Sequence, residues 1–304
     1  MFSALQRAFF PTGKNPQIPG RYDLQTVHCD ISGSEYSMQV LPTNTGFANQ
    51  DSNLERFDLY DESKYLTMGK EEYGSRRCGI GYVRSRSSTV HHGFMGGRQH
   101  GIISSLTSVI NFPDLPESMN LFDPRHFMQA VEHFHYFACG PGASNYEDGT
   151  YHKGRWVEQG GVTWLNFERW DSSALDYIKA NQGIKHDEGL VTAYRLFYYA
   201  APIGRAQMLT VMLRLSGWEP ATAACKVFFE IARQLYPTLQ LRYGGEALKW
   251  QAEVPEAVRE ARPTLGPDWH IRKKPAVYKR REVTPDNYQD FLISESDPPP
   301  DWQP

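Results

Sequence analysis

The chain has 304 residues, 40% of them apolar and 22% charged, with 32 Lys and Arg against 35 Asp and Glu. That length suits one large or two medium domains with ample core, and the composition excludes fibrous and membrane-embedded classes. A net charge of −3 gives no global field to recruit nucleic acid or acidic lipid, so partners must be recognised by shape and local chemistry.

The first 20 residues read as an arm in which Phe2, Leu5, Phe9 and Phe10 make the apolar face of a short helix, closed by Pro11 and docked on the body. They lack the basic start, apolar run and small-residue cleavage site of a secretory signal. The expected location is the cytoplasm, or the periplasm if an export signal has been removed. No run reaches the ~18 apolar residues of a membrane span. The longest, around 200–215, is broken by Pro202, Gly204, Arg205 and Arg214.

From Arg21 to Leu41 the runs RYDLQTVHCDI and EYSMQVL read as two strands with ISGSE as the turn. Leu54–Met68 and Cys78–Arg84 read as further strands, whereas 102–111 alternates poorly and suggests a helix. At Asp123 an acidic cap and a first-turn Pro precede Phe127, Val131, Phe134 and Phe137 at helical spacing, which predicts a helix. RWVEQGGVTWLNFERW, Arg155–Trp170, reads as a hairpin around Gly160 and Gly161. Leu190–Tyr199 and Gln207–Leu215 read as a second hairpin. Ala224, Val227, Phe228 and Ile231 then share the face of a helix that stops at Pro237, and TLQLRYG follows as a last strand.

Hairpins followed by single helices predict an α+β fold: antiparallel sheets with helices packed on one face. The expected divisions are an arm at 1–20, an α+β domain at 21–150, another at 151–245, and a Pro-rich, charged arm at 246–304 that either wraps over the body or stays mobile. The order of strands then helix occurs twice, which allows two similar subdomains.

Chemical candidates are few. VHHGFMGGRQHG, Val90–Gly101, carries His91, His92, Arg98 and His100, but it has neither GxGxxG nor GK[ST] phosphate-cradle spacing, nor the i, i+4 histidines of an HExxH zinc site. His133 and His135 would converge on a strand, and Cys139 could add a thiolate, but on a helix residues two apart diverge. His186, Asp187 and Glu188 read as a solvated turn. Ser104, Ser105 and Ser108 lie outside any GxSxG elbow. Cys29, Cys78, Cys139 and Cys225 are far apart with no CxxC pair, which points to buried or free thiols.

GRWVEQGGVTWLNFERW, two apolar strands, and a helix running into QLYPTLQLRYG with Leu239, Leu241 and Arg242 together resemble the C-terminal domain of immunity proteins that neutralise type VI secretion phospholipase effectors. The likeness covers Gly154–Gly245. It implies a protein that is not an enzyme, carries no cofactor or metal, and binds a cognate toxic effector so as to occlude it. Such proteins act in the periplasm behind a signal or lipid anchor; the missing signal here fits a toxin acting inside the cell, or an effector-loading adaptor or chaperone of the same secretion system. A metal-dependent hydrolase using the histidine-rich turn is the enzymatic alternative. The contact residues expected for a blocker are His92 and Arg98 in the first turn, Tyr146, Glu147, Asp148 and Tyr151 in the next, and Lys185 and Glu188 in the third.

Overall fold

A computed structural model describes residues 18, 20–43, 54–69, 71, 77–92, 98–139, 149–170, 195–217, 222–265, 269–271 and 301–303. The N-terminal helix expected around Phe2–Phe10 lies outside the described residues. Two sheets organise the rest.

The smaller sheet pairs β1 (Gln25–Ile31) with β2 (Ser34–Val40) in the expected hairpin, and adds β3 (Arg56–Phe57) and β11 (Gln240–Arg242) in the order β11-β2-β1-β3. The larger sheet has the order β12-β7-β8-β9-β10-β6-β5-β4 and is antiparallel throughout. Its strands are β4 (Leu66–Met68), β5 (Cys78–His92), β6 (Arg98–Asn111), β7 (Gly149–Gln159), β8 (Val162–Trp170), β9 (Arg195–Pro202), β10 (Gln207–Gly217) and β12 (Trp269–Ile271). The fold is α+β.

Period-two alternation explains why the central strands read as almost continuously apolar. Val162 and Trp164 of β8, Tyr199 and Ala201 of β9, and Leu209, Val211 and Leu213 of β10 face the small sheet, where they meet Val27, Ile31, Met38 and Val40. Their neighbours Leu165, Phe167, Tyr198, Ala200 and Met208 point the other way. There they meet Phe127, Ala130, Val131, Phe134 and Phe137 of α1 (Pro124–Cys139). Helix α2 (Thr222–Leu235) instead lies on the small-sheet side, burying Phe228, Ile231 and Leu235; each such side chain contributes ~1.5–3 kcal/mol. The helices therefore divide between both faces of the large sheet and are not confined to one.

Three expectations are corrected. Residues 102–111 belong to strand β6, between β5 and β10. Over 107–110 both of its faces are covered, with Val109 toward one core and Ile110 toward the other, so apolar residues sit side by side and alternation is lost. Its polar members are accommodated: the Tyr36 hydroxyl meets Thr107 Oγ1 at 2.8 Å, and Thr210 donates to the Ser108 carbonyl at 3.2 Å.

Between Leu54 and Met68 only β3 and β4 are extended. Asp58 accepts from the Tyr60 N–H and Asp61 from the Ser63 N–H, which turns the chain into a short 3₁₀ segment at Glu62–Lys64. The division at 150/151 is crossed by both sheets, because β10 pairs with β6 and β11 with β2. Hydrogen bonding thus makes no separate units of 21–150 and 151–245.

The arm begins with structure. α3 (Gly245–Ala252) buries Ala247 against the small-sheet core, and Val254, in the link to α4 (Glu256–Glu260), is buried there too. Beyond them Trp156 Nε1 donates to the Pro263 carbonyl, and Arg262 pairs with Glu158 at 2.7 Å, so the chain crosses the β7–β8 hairpin. In its described part the arm wraps over the body.

Candidate functional site: one end of the large sheet

The register gathers the strand ends that border the turns singled out from sequence. His92 pairs with Arg98 where β5 meets β6. Gly217 of β10 lies opposite Gly101, Arg195 of β9 opposite Leu215, Trp170 of β8 opposite Arg195, and Thr150 of β7 opposite Trp170. Tyr151 lies between Arg169 and Trp269. The chain therefore enters 93–97, enters and leaves 171–194, and emerges from 140–148 at one and the same end of the sheet.

Of the expected contact residues, His92, Arg98 and Tyr151 lie toward this end without being neighbours, because β7 and β6 are four strand spacings apart, about 19 Å; Tyr146, Glu147, Asp148, Lys185 and Glu188 lie outside the described residues, as do His186 and Asp187. The β5–β6 hairpin reaches furthest. Ile103 lies opposite Leu215, level with the start of β9, and Arg98 is five residues beyond it, about 17 Å at ~3.4 Å per residue.

Charge is distributed unevenly. Residues 78–111 contain no Asp or Glu in a chain that has 35, yet include Arg84, Arg86, Arg98, His91, His92 and His100. β9 and β10 add Arg195 and Arg214, again without an acid. At the same end β7, β8 and β12 place Tyr151, Arg169, Trp170 and Trp269. Tyr, Trp and Arg are the residue types that anchor protein interfaces. Arg169, Trp170, Arg195 and Trp269 were not legible as contact positions; the acid-free run was, had charge been counted by segment.

The alternative chemistry is dispersed. His91 Nε2 lies 2.7 Å from Thr89 Oγ1. On α1 the two histidines diverge as helical spacing requires: His133 stacks on Trp302 with centroids 3.7 Å apart, while His135 sits edge-on to Phe167 at 4.8 Å. Ser104 Oγ pairs with Ser87 Oγ at 2.9 Å, and Ser108 is buried. Among the described residues no three His, Cys, Asp or Glu side chains gather as a metal site.

Cys29 and Cys78 are buried free thiols. Burial pushes the Cys29 thiol up to about 11 against the opposing pull of Arg84, and raises Cys78 further, so neither is a thiolate near neutral pH. The Cys139 and Cys225 side chains lie outside the described set. Arg84 is itself buried between the sheets, donating to the His28 carbonyl at 3.3 Å, and desolvation lowers its pKa. Burial also raises the Glu132 carboxyl on α1.

Among the described residues no helix is long and apolar enough to cross a membrane. No family model, curated protein or solved structure matches the chain.

Proposed function

We propose that this chain is a non-enzymatic binding protein that neutralises a bacterial toxic effector by occluding it, using the end of the large sheet around His92, Arg98 and Tyr151. The reading is supported above all by the convergence at that end of strand termini bordering all three turns that sequence chemistry singled out as contact surface. A sheet end that presents Arg98 on a projecting hairpin and Tyr151, Trp170 and Trp269 on neighbouring strands suits an occluding surface, because anchors held by strands lose little entropy on binding. The acid-free hairpin complements an acidic partner surface.

The test is co-expression with toxic products of adjacent genes in a growth assay, followed by size-exclusion analysis of the pair. Growth is expected to be restored, with a stoichiometric complex. Arg98→Glu should weaken that complex by about 10- to 100-fold, the effect of losing ~1–3 kcal/mol at an interface anchor. A complex that forms and stays toxic would assign the chain to effector loading instead. Restored growth without a complex, or turnover by the purified chain alone, would remove the blocking role.

A further inference from the structure

Outside the sheet end, one peptide segment of this chain is already held as a ligand would be. Trp302 stacks face to face on His133, with an interplanar angle of 9°, and meets the edge of Phe112 at 5.8 Å. One turn before His133, the Gln129 amide clasps the main chain of Gln303: the Gln303 N–H donates to Oε1 at 2.8 Å, and Nε2 donates to the Gln303 carbonyl at 2.9 Å. Positions 129 and 133 share a face of α1 by helical spacing. We propose that this groove is a recognition site for short extended peptides carrying a tryptophan, and that Asp301–Gln303 fills it as a reversible, tethered occupant.

The contacts divide the work as peptide-binding sites do. Both Gln129 bonds go to backbone groups and would serve any extended residue, whereas the ring slot between His133 and Phe112 selects tryptophan. The docked state also carries a cost: the buried Trp302 indole N–H finds no acceptor among the described residues. Buried indoles ordinarily find one, so the contact is weaker than its area implies and is suited to exchange.

Residues 272–300, 29 in number, join Ile271 of β12 to Asp301. A segment covalently joined to its own site competes at an effective concentration on the order of 1 mM, so an attached segment whose intrinsic dissociation constant is ~100 µM would reduce the apparent affinity of a free peptide by about tenfold. This inference does not depend on the sheet end or on the blocking role.

The experiment uses fluorescein-labelled SDPPPDWQP, the sequence of residues 296–304, titrated into the full chain and followed by anisotropy. The Trp302→Ala variant is expected to bind it about tenfold more tightly than the wild type, and the same peptide with its tryptophan replaced by alanine should bind neither. Cooperative thermal melting reports whether Trp302→Ala folds. Gln303→Pro removes the main-chain donor to Gln129 while leaving every groove side chain in place, and is expected to gain about threefold, the worth of one modest hydrogen bond. Equal affinity for wild type and folded variants, or no binding to the variants up to about 1 mM peptide, would overturn the proposal.

Discussion

Asp123 shows how one carboxylate sets where a helix begins. Its carbonyl accepts the first helical bond from Phe127, its Oδ1 accepts the Arg125 N–H at 2.9 Å, and the Arg125 guanidinium closes on Oδ2 at 2.6 Å. Desolvation pushes its pKa upward, but the Arg125 hydrogen bonds outweigh it, and the net shift is downward. A carboxyl depressed in the folded state stabilises above its unfolded pKa of ~3.9, and that stabilisation is lost as pH falls through the lower folded value. Asp123→Ala is expected to cost about 1–2 kcal/mol near pH 7, as lost N-caps do. In urea melts the gap from wild type should narrow as pH drops below ~4; a gap of constant size down to acid pH would mean that the charge is not what caps α1.

Between elements, a buried polar contact joins the Tyr36 hydroxyl of β2 to Thr107 Oγ1 of β6 and ties the small sheet to the large one inside the core. Burial drives the Tyr36 pKa up to about 12, so the phenol stays neutral and able to hydrogen-bond at any ordinary pH. Tyr36→Phe and Thr107→Val are each expected to cost about 1–2 kcal/mol, and the double variant little more than either alone, because the second change removes a partner already orphaned. A double-mutant cycle by urea unfolding measures this; strict additivity would show that the bond contributes nothing to docking the sheets. Neither residue announced the contact: β6 read as helical precisely where both faces are covered, and Tyr36 lies 71 positions away.

At the scale of the molecule, the two sheets close on each other through a glycine. Gly160, at φ 58°, turns β7 into β8, and its carbonyl accepts the Leu241 N–H of β11 at 3.1 Å. A Cβ there would strike the Leu239 carbonyl and lie 2.6 Å from Gln240 Cα, both backbone atoms with nowhere to go. Gly160→Ala should therefore destabilise the whole chain by about 2 kcal/mol or more, beyond the ~1 kcal/mol of an ordinary positive-φ substitution. Gly161→Ala serves as the comparison: it shares the positive φ, but its nearest approach is 3.3 Å, to the Leu241 carbonyl. Equal thermal melting losses for the two would argue against close sheet contact as the cause.

Several local features were determined by the sequence alone, because local chemistry suffices for them. Asp123-Pro124 starts a helix, Gly160-Gly161 turns a hairpin, and 222–235 has one apolar stripe; all three stand where they were expected. Tertiary structure alone decided that β6 is a strand, that strands from both halves share the sheets, and that His92, Arg98 and Tyr151 lie toward one end. Those outcomes depend on register between strands more than a hundred residues apart, as in β6 with β10. Pairing over such distances is fixed by the burial of whole faces, a property that no short window of residues contains.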